Sequence, residues 1–191
     1  MEVAGQMDVS RYKIFEHQSR SFSEGTLEYI NDQWVFFDDE SEEASLLEDY
    51  LFQDVEVFSN HRWRKGKLIE TDKVKLSNEI FDLQNATKIR IRKNLVYSLE
   101  RLLEDLHEDA FLQFVMTLNS MEFSIYDCIY CHNHLSFLKE KRNQNGVNMM
   151  IFDNGEVICA VQHHFEYFKR INDRFEFTLS TGKRVVIEKL A

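Results

Sequence analysis

The sequence predicts an α+β protein in two parts. A small β-barrel occupies residues 1–93, and helices packed on an antiparallel β-meander occupy residues 94–191. Three observations carry this. Short runs of alternating apolar and polar residues, separated by turn residues, fill the first part. Leucines at helical spacing begin at Leu95. Near the C-terminus, two long apolar runs are each broken by a Gly-containing dipeptide, Asn154-Gly155 and Thr181-Gly182.

In the first part, strand-like runs at 26–30 and 33–37 flank Asn31-Asp32, a hairpin-turn pair. The run 55–58 alternates, and Ser59-Asn60-His61 turns the chain into a run at 63–70. Runs at 74–76, 80–83 and 88–92 complete the set. Several short strands without an intervening long helix suit a closed or half-closed barrel. The segment 38–50 is strongly acidic, and a short helix is expected at 44–50. The string Val55-Glu56-Val57-Phe58, followed by Trp63-Arg64-Lys65-Gly66-Lys67-Leu68, resembles the central hairpin of SH3-like and Tudor-like barrels. There a strand leads through a polar turn into a Trp-x-x-Gly-x-aliphatic strand, so an SH3-like barrel is the fold this likeness implies.

In the second part, Leu95, Leu99, Leu102, Leu103 and Leu106 predict a helix, and Phe111, Phe114, Val115 and Leu118 a second. The polar stretch 104–109 marks the break, with Glu108 or Asp109 near the second start. Ser124 and Asp127 have capping-box spacing, and Ile125, Cys128, Ile129, His132 and Leu135 fall on one face of an expected third helix. A polar loop at 139–146 follows. The expected hairpins run 147–153 to 156–165 around a type I′ Asn154-Gly155 turn, and 174–180 to 183–189 around Thr181-Gly182. The first hairpin is apolar on both faces, as a central pair would be.

Composition narrows the function. The chain has 191 residues, 43% hydrophobic and 29% charged, which is ordinary for a folded soluble chain. Its 16 phenylalanines suit packed sheets. Its net charge of −10 argues against non-specific nucleic-acid binding, which relies on basic groups neutralising phosphates. No apolar run is long enough to span a bilayer, and residues 1–20 carry no apolar export segment. Three cysteines without an export signal read as reduced thiols, so a cytoplasmic location is expected. Phosphate-loop, dinucleotide and HExxH signatures are absent.

One cluster invites a chemical reading. On a helix, Cys128 would share a face with Cys131 and His132, and two thiolates with an imidazole suit zinc, His163 or His164 adding a fourth ligand. Against this, zinc sites usually pair two Cys/His knuckles and only one is present. Packing of an amphipathic helix already accounts for Cys128 and His132. Cys159 and His163, four residues apart on one strand, are about 13 Å apart and cannot form a dyad. No catalytic residue, metal ligand or cofactor is therefore assigned. The acidic run 38–43 lacks the glycine and oxygen spacing of a calcium loop.

The strings Gln33-Trp34-Val35-Phe36-Phe37-Asp38-Asp39-Glu40, Ser124-Ile125-Tyr126-Asp127-Cys128-Ile129-Tyr130-Cys131 and Phe152-Asp153-Asn154-Gly155-Glu156 resemble those of a small family from Bacillus-type bacteria, a domain of unknown function. The resemblance implies a cytosolic bacterial protein and offers no catalytic residues. The expected function is non-enzymatic recognition of a protein partner. Trp63, Arg64 and Lys67 would form one binding edge and the acidic loop 38–49 a second. The alternatives are a thiol- or zinc-dependent enzyme centred on Cys128, Cys131 and His132, and a nucleic-acid module using the basic strips 62–67 and 88–93.

Overall fold

The computed structural model describes residues 9–41, 43–168 and 170–190. They form two compact units, one of residues 22–93 and one of residues 9–21 with 94–190. Residues 1–8 of the N-terminal stretch and Glu42 of the acidic run lie outside the described residues.

The first unit is an eight-stranded antiparallel sheet. Its strands are β1 (Phe22–Ile30), β2 (Gln33–Asp38), β3 (Ala44–Leu46), β4 (Asp54–Ser59), β5 (Arg62–Glu70), β6 (Lys73–Leu76), β7 (Ile80–Asp82) and β8 (Lys88–Arg92). The order is β3-β2-β1-β8-β4-β5-β6-β7, so the last strand enters between β1 and β4. Asn31 and Asp32 both have positive φ, 50° and 63°, as do Asn60 and His61, 51° and 60°. These are the conformations of two-residue turns that match strand twist, and both hairpins use them.

One face is apolar. Leu27, Phe36, Val55, Val57, Leu68, Val74, Leu76, Ile89 and Ile91 alternate along the strands and join Leu47 and Leu83 in a single core. With no α-helix among its described residues, this unit builds its core from its own strands and turns. At Gly25, where β1 crosses β2, a Cβ would stand 2.0 Å from the Phe37 carbonyl oxygen. Only glycine fits that approach. Two expectations are corrected. No ladder joins the terminal strands β3 and β7 among the described residues, so the unit is an open sheet and not a closed barrel. The helix expected at 44–50 is a short strand followed by one 3-10 turn at Leu47–Tyr50, because residues 44–46 find backbone partners on β2.

The second unit packs α1 (Val9–Glu16), α2 (Tyr97–Asp105) and α3 (Glu108–Ser120) with a five-stranded meander: β9 (Cys128–His132), β10 (Gln144–Asp153), β11 (Ile158–Tyr167), β12 (Ile171–Leu179) and β13 (Arg184–Leu190). The sequence grouped residues 9–21 with the first part. The structure places them here, because Phe15 is buried in this core and the Arg11 guanidinium binds the corner between α2 and α3. Phe114 of α3 meets Phe152, Phe175 and Phe177 on the sheet, with ring centroids 5.2–6.2 Å apart. Such offset contacts add to simple area burial.

The third helix is not formed. The Ser124–Asp127 capping box is present, yet it starts a single 3-10 turn, Ile125–Asp127, and the chain then enters β9. Along β10, Phe152 pairs with Cys128 and Ile151 with Tyr130, leaving Ile129 as an extra residue. This bulge is why Cys128 and Cys131 both face the core, although residues three apart on a regular strand point oppositely. A spacing of three thus imitates a helix.

Both C-terminal hairpins form, with longer turns than expected. Asp153 pairs with Ile158, so the first loop has four residues. Asn154 Oδ1 accepts the Glu156 and Val157 amides, and only Gly155, at φ 87°, has positive φ, so the turn is not type I′. In the second, Gly182 takes φ 89° and the Lys183 carbonyl accepts the Leu179 amide across a three-residue loop. β10 and β11 bury one face only. Asn148, Met150, Phe152, Cys159, Val161, His163 and Phe165 point inward, while Met149, Ile158 and Gln162 are exposed.

Candidate functional site

The outer face of the first unit gathers the residues of interest. Register places Glu24, Arg90, Glu56 and Lys65 in one row across β1, β8, β4 and β5. Phe58 stands opposite Trp63 in the β4–β5 hairpin. Their rings meet edge to face at 5.1 Å. The Arg90 guanidinium lies 4.7 Å from the Trp63 ring centroid and 4.5 Å from that of Phe22. Arg92 also lies over Phe22, at 4.7 Å. Arg90 donates to the buried Glu56 carboxylate at 2.6 and 2.8 Å, and Glu24 is 3.5 Å away. Cation–π contacts of this kind fix both the cation and the rings.

Trp63 is half-buried within this cluster, Phe58 is 40% exposed, and Lys65, Lys67 and Lys88 are exposed. The result is an aromatic platform held by cation–π contacts, with exposed lysines at its rim. Of the residues singled out from sequence, Trp63 and Lys67 share this face by strand alternation. Arg64 does not. It points to the opposite side of β5 and pairs with Glu79 at 2.5 Å. Phe22, Phe58 and Arg90 were not singled out as binding residues. Alternation did place Lys88, Arg90 and Arg92 on one face, but the insertion of β8 between β1 and β4 is a long-range pairing that no local signal announces.

The acidic loop is partly spent on structure. Burial pushes the Asp38 carboxyl up, but the Ser41 and Glu40 amides, the Ser23 side chain and the charge of Lys93 together outweigh this and hold it below its ordinary value. Asp39 approaches Lys88 at 3.9 Å and Glu40 approaches Lys93 at 3.6 Å. The strip 88–93 is therefore largely neutralised, as an exposed face beside an acidic loop would be. Farther along, Glu48 joins Asp32 and Asp72 beside the Tyr29–Trp34 aromatic pair in a groove of about 420 Å³.

The sulfur and imidazole groups lie in the second unit. Burial pushes the Cys128 thiol up to about 12, and the Cys131 and Cys159 thiols up to about 11. Such thiols are poor nucleophiles. His132 is exposed, on the opposite side of β9 from Cys131. His163 is fully buried, and both ring nitrogens are engaged: Nδ1 with Asn148 at 3.0 Å, Nε2 with Asp173 at 2.8 Å. His164 lies on the other face, beside Glu176. Among the described residues, no group of three or more His, Cys, Asp or Glu side chains is arranged to hold a metal ion. No helix among them is long and apolar enough to cross a membrane.

Known proteins place the chain in a lineage. It is 29% identical over 182 residues to the uncharacterized protein YisN of Bacillus subtilis (strain 168), covering 94% of this chain and 91% of that one. No solved structure matches it significantly. Residues 9–189, both units together, match the family described as "Protein of unknown function (DUF2777)", and the chain belongs to that family.

Proposed function

We propose that this protein is a non-enzymatic, cytosolic recognition or regulatory protein that binds a protein partner through the outer face of its β unit. The observation that carries the reading is the stacked Phe22–Arg90–Trp63 platform with Phe58 exposed beside it and Lys65 and Lys67 around it. Aromatic anchors braced by a cation and ringed by exposed charges suit an acidic partner segment, the rings supplying affinity and the lysines steering and register. The acidic, aromatic groove at Glu48 and Trp34 is the second contact, complementary to a basic side chain. The three thiols are unpaired and buried, in keeping with a reducing compartment. We also read the curled sheet, with its Trp-x-x-Gly-x-aliphatic hairpin, as a half-open relative of SH3-like barrels.

The test is a variant series on the full chain. A Trp63→Ala/Lys67→Glu protein that folds normally by circular dichroism loses tenfold or more of partner captured from Bacillus lysate, measured by quantitative mass spectrometry. Arg64→Ala, on the other side of β5, leaves capture unchanged. Rising salt weakens capture. Full capture by the double variant, or capture insensitive to salt, refutes the reading.

A further inference from the structure

The C-terminal unit carries a cavity of about 450 Å³ between the first turn of α2, the end of β9 and the 3-10 turn Leu135–Leu138. That is the size range of small-molecule sites. Two aromatic side chains line it in an unusual state: Tyr97 is 74% exposed and Phe137 75%, in a unit that otherwise buries most of its phenylalanines. Arg101, Lys139 and the His132 imidazole line the same cavity, and among the described residues no carboxylate does. The acidic partners of the two cations stand outside the lining. Arg101 Nη1 donates to Glu104 at 2.5 Å and Lys139 Nζ to Asp105 at 2.9 Å. These pairs orient the cations without using all their donors, since a guanidinium has five N–H groups and an ammonium three.

The wall between them is built firmly. Asn133 is buried, its Nδ2 donating to the Ser98 carbonyl and its Oδ1 accepting the Ser136 amide. The Ser98 hydroxyl donates to the Cys131 carbonyl at 2.7 Å. Strand, helix and turn are thus joined through backbone groups. The His132 and Phe137 rings are nearly parallel, 26° apart in plane with centroids 6.3 Å apart. Exposed planar rings offer stacking surface, while two cations and an imidazole offer donors for a group bearing close to two negative charges.

We propose that this cavity binds a small ligand with a planar aromatic ring and a phosphate group, of the nucleoside monophosphate class. The ring stacks on Phe137, and the phosphate takes donors from Arg101, Lys139 and His132. This is separate from the partner-binding face, which lies on the other unit.

The experiment is a calorimetric and 1H–15N NMR titration of the full chain with adenosine, guanosine, cytidine and uridine 5′-monophosphates. Adenosine, inorganic phosphate and benzoate serve as partial probes. At least one monophosphate binds saturably at one site, with shifts confined to residues around 97–101 and 131–139. Adenosine, phosphate and benzoate bind at least tenfold more weakly. Phe137→Ala and Arg101→Gln each weaken binding tenfold or more without lowering the melting temperature, and Lys139→Gln, at a more exposed position, repeats the effect should Arg101→Gln unfold. No saturable binding of any monophosphate, equal binding of a partial probe, or full affinity in the variants overturns the proposal.

Discussion

His163 Nε2 lies 2.8 Å from Asp173 Oδ1, and both side chains are buried, at 0% and 2% exposure. The rest of the chain of bonds fixes the imidazole's proton. Asn148 Oδ1 accepts the Leu135 amide, so its Nδ2 faces His163 Nδ1 and donates to it. The proton therefore sits on Nε2 and is donated to Asp173, which also accepts the Tyr167 hydroxyl. Stacking on Phe175, at 4.2 Å between centroids, completes the enclosure.

Burial holds His163 below its usual pKa, and the hydrogen bond and charge of Asp173 offset this only in part. The folded protein thus refuses a proton that the unfolded chain accepts at about pH 6.5. The contribution of His163 to stability is complete above that pH and is lost as pH falls below it, with a slope of up to about 1.4 kcal/mol per unit. Urea unfolding at pH 7.5, 6.0 and 5.0 should show a steeper loss in wild type than in His163→Gln. Parallel pH curves for the two proteins would rule this out.

Arg11 closes the corner between α2 and α3. Its Nη1 donates to the Leu103 carbonyl at 2.5 Å, and its Nη2 to the Leu106 carbonyl at 2.8 Å and to Glu108 at 3.1 Å. The guanidinium also lies 4.6 Å from the Phe111 ring centroid. Carbonyls at a helix C-terminus lack partners of their own, so a buried cation satisfies groups that would otherwise be stranded. Arg11→Met should cost about 2–4 kcal/mol in denaturant unfolding, and Arg11→Lys, which lacks the planar fork, should recover only part. A variant within half a kilocalorie of wild type, roughly the scatter of ordinary surface changes, contradicts this role.

The thiols should be inert in the folded state. With Cys128 raised to about 12 and the others to about 11, the thiolate fraction at pH 8 is smaller than that of a free cysteine by on the order of 100-fold or more. Ellman's reagent should report slow reaction in buffer and three rapid equivalents in guanidinium. One thiol reacting at the free rate in the native protein would show that its enclosure is wrong.

Local chemistry alone determined much of this protein. Asn31-Asp32 and the Asn60-His61 pair set their turns because these positions need left-handed backbone, and the leucine and phenylalanine spacing set α2 and α3. The C-terminal hairpins were legible for the same reason, though not their loop lengths. Tertiary structure decided where pairing is between distant residues. The bulge at Ile129 exists only because β10 lies alongside, and it turned a spacing of three into a strand. The home of α1 depends on carbonyls more than ninety residues away. Arg90 rather than Arg64 stands beside Trp63 because β8 inserts between β1 and β4. Turn and helix signals are encoded within a few residues, whereas strand neighbours are chosen by the whole sheet as it buries its apolar face.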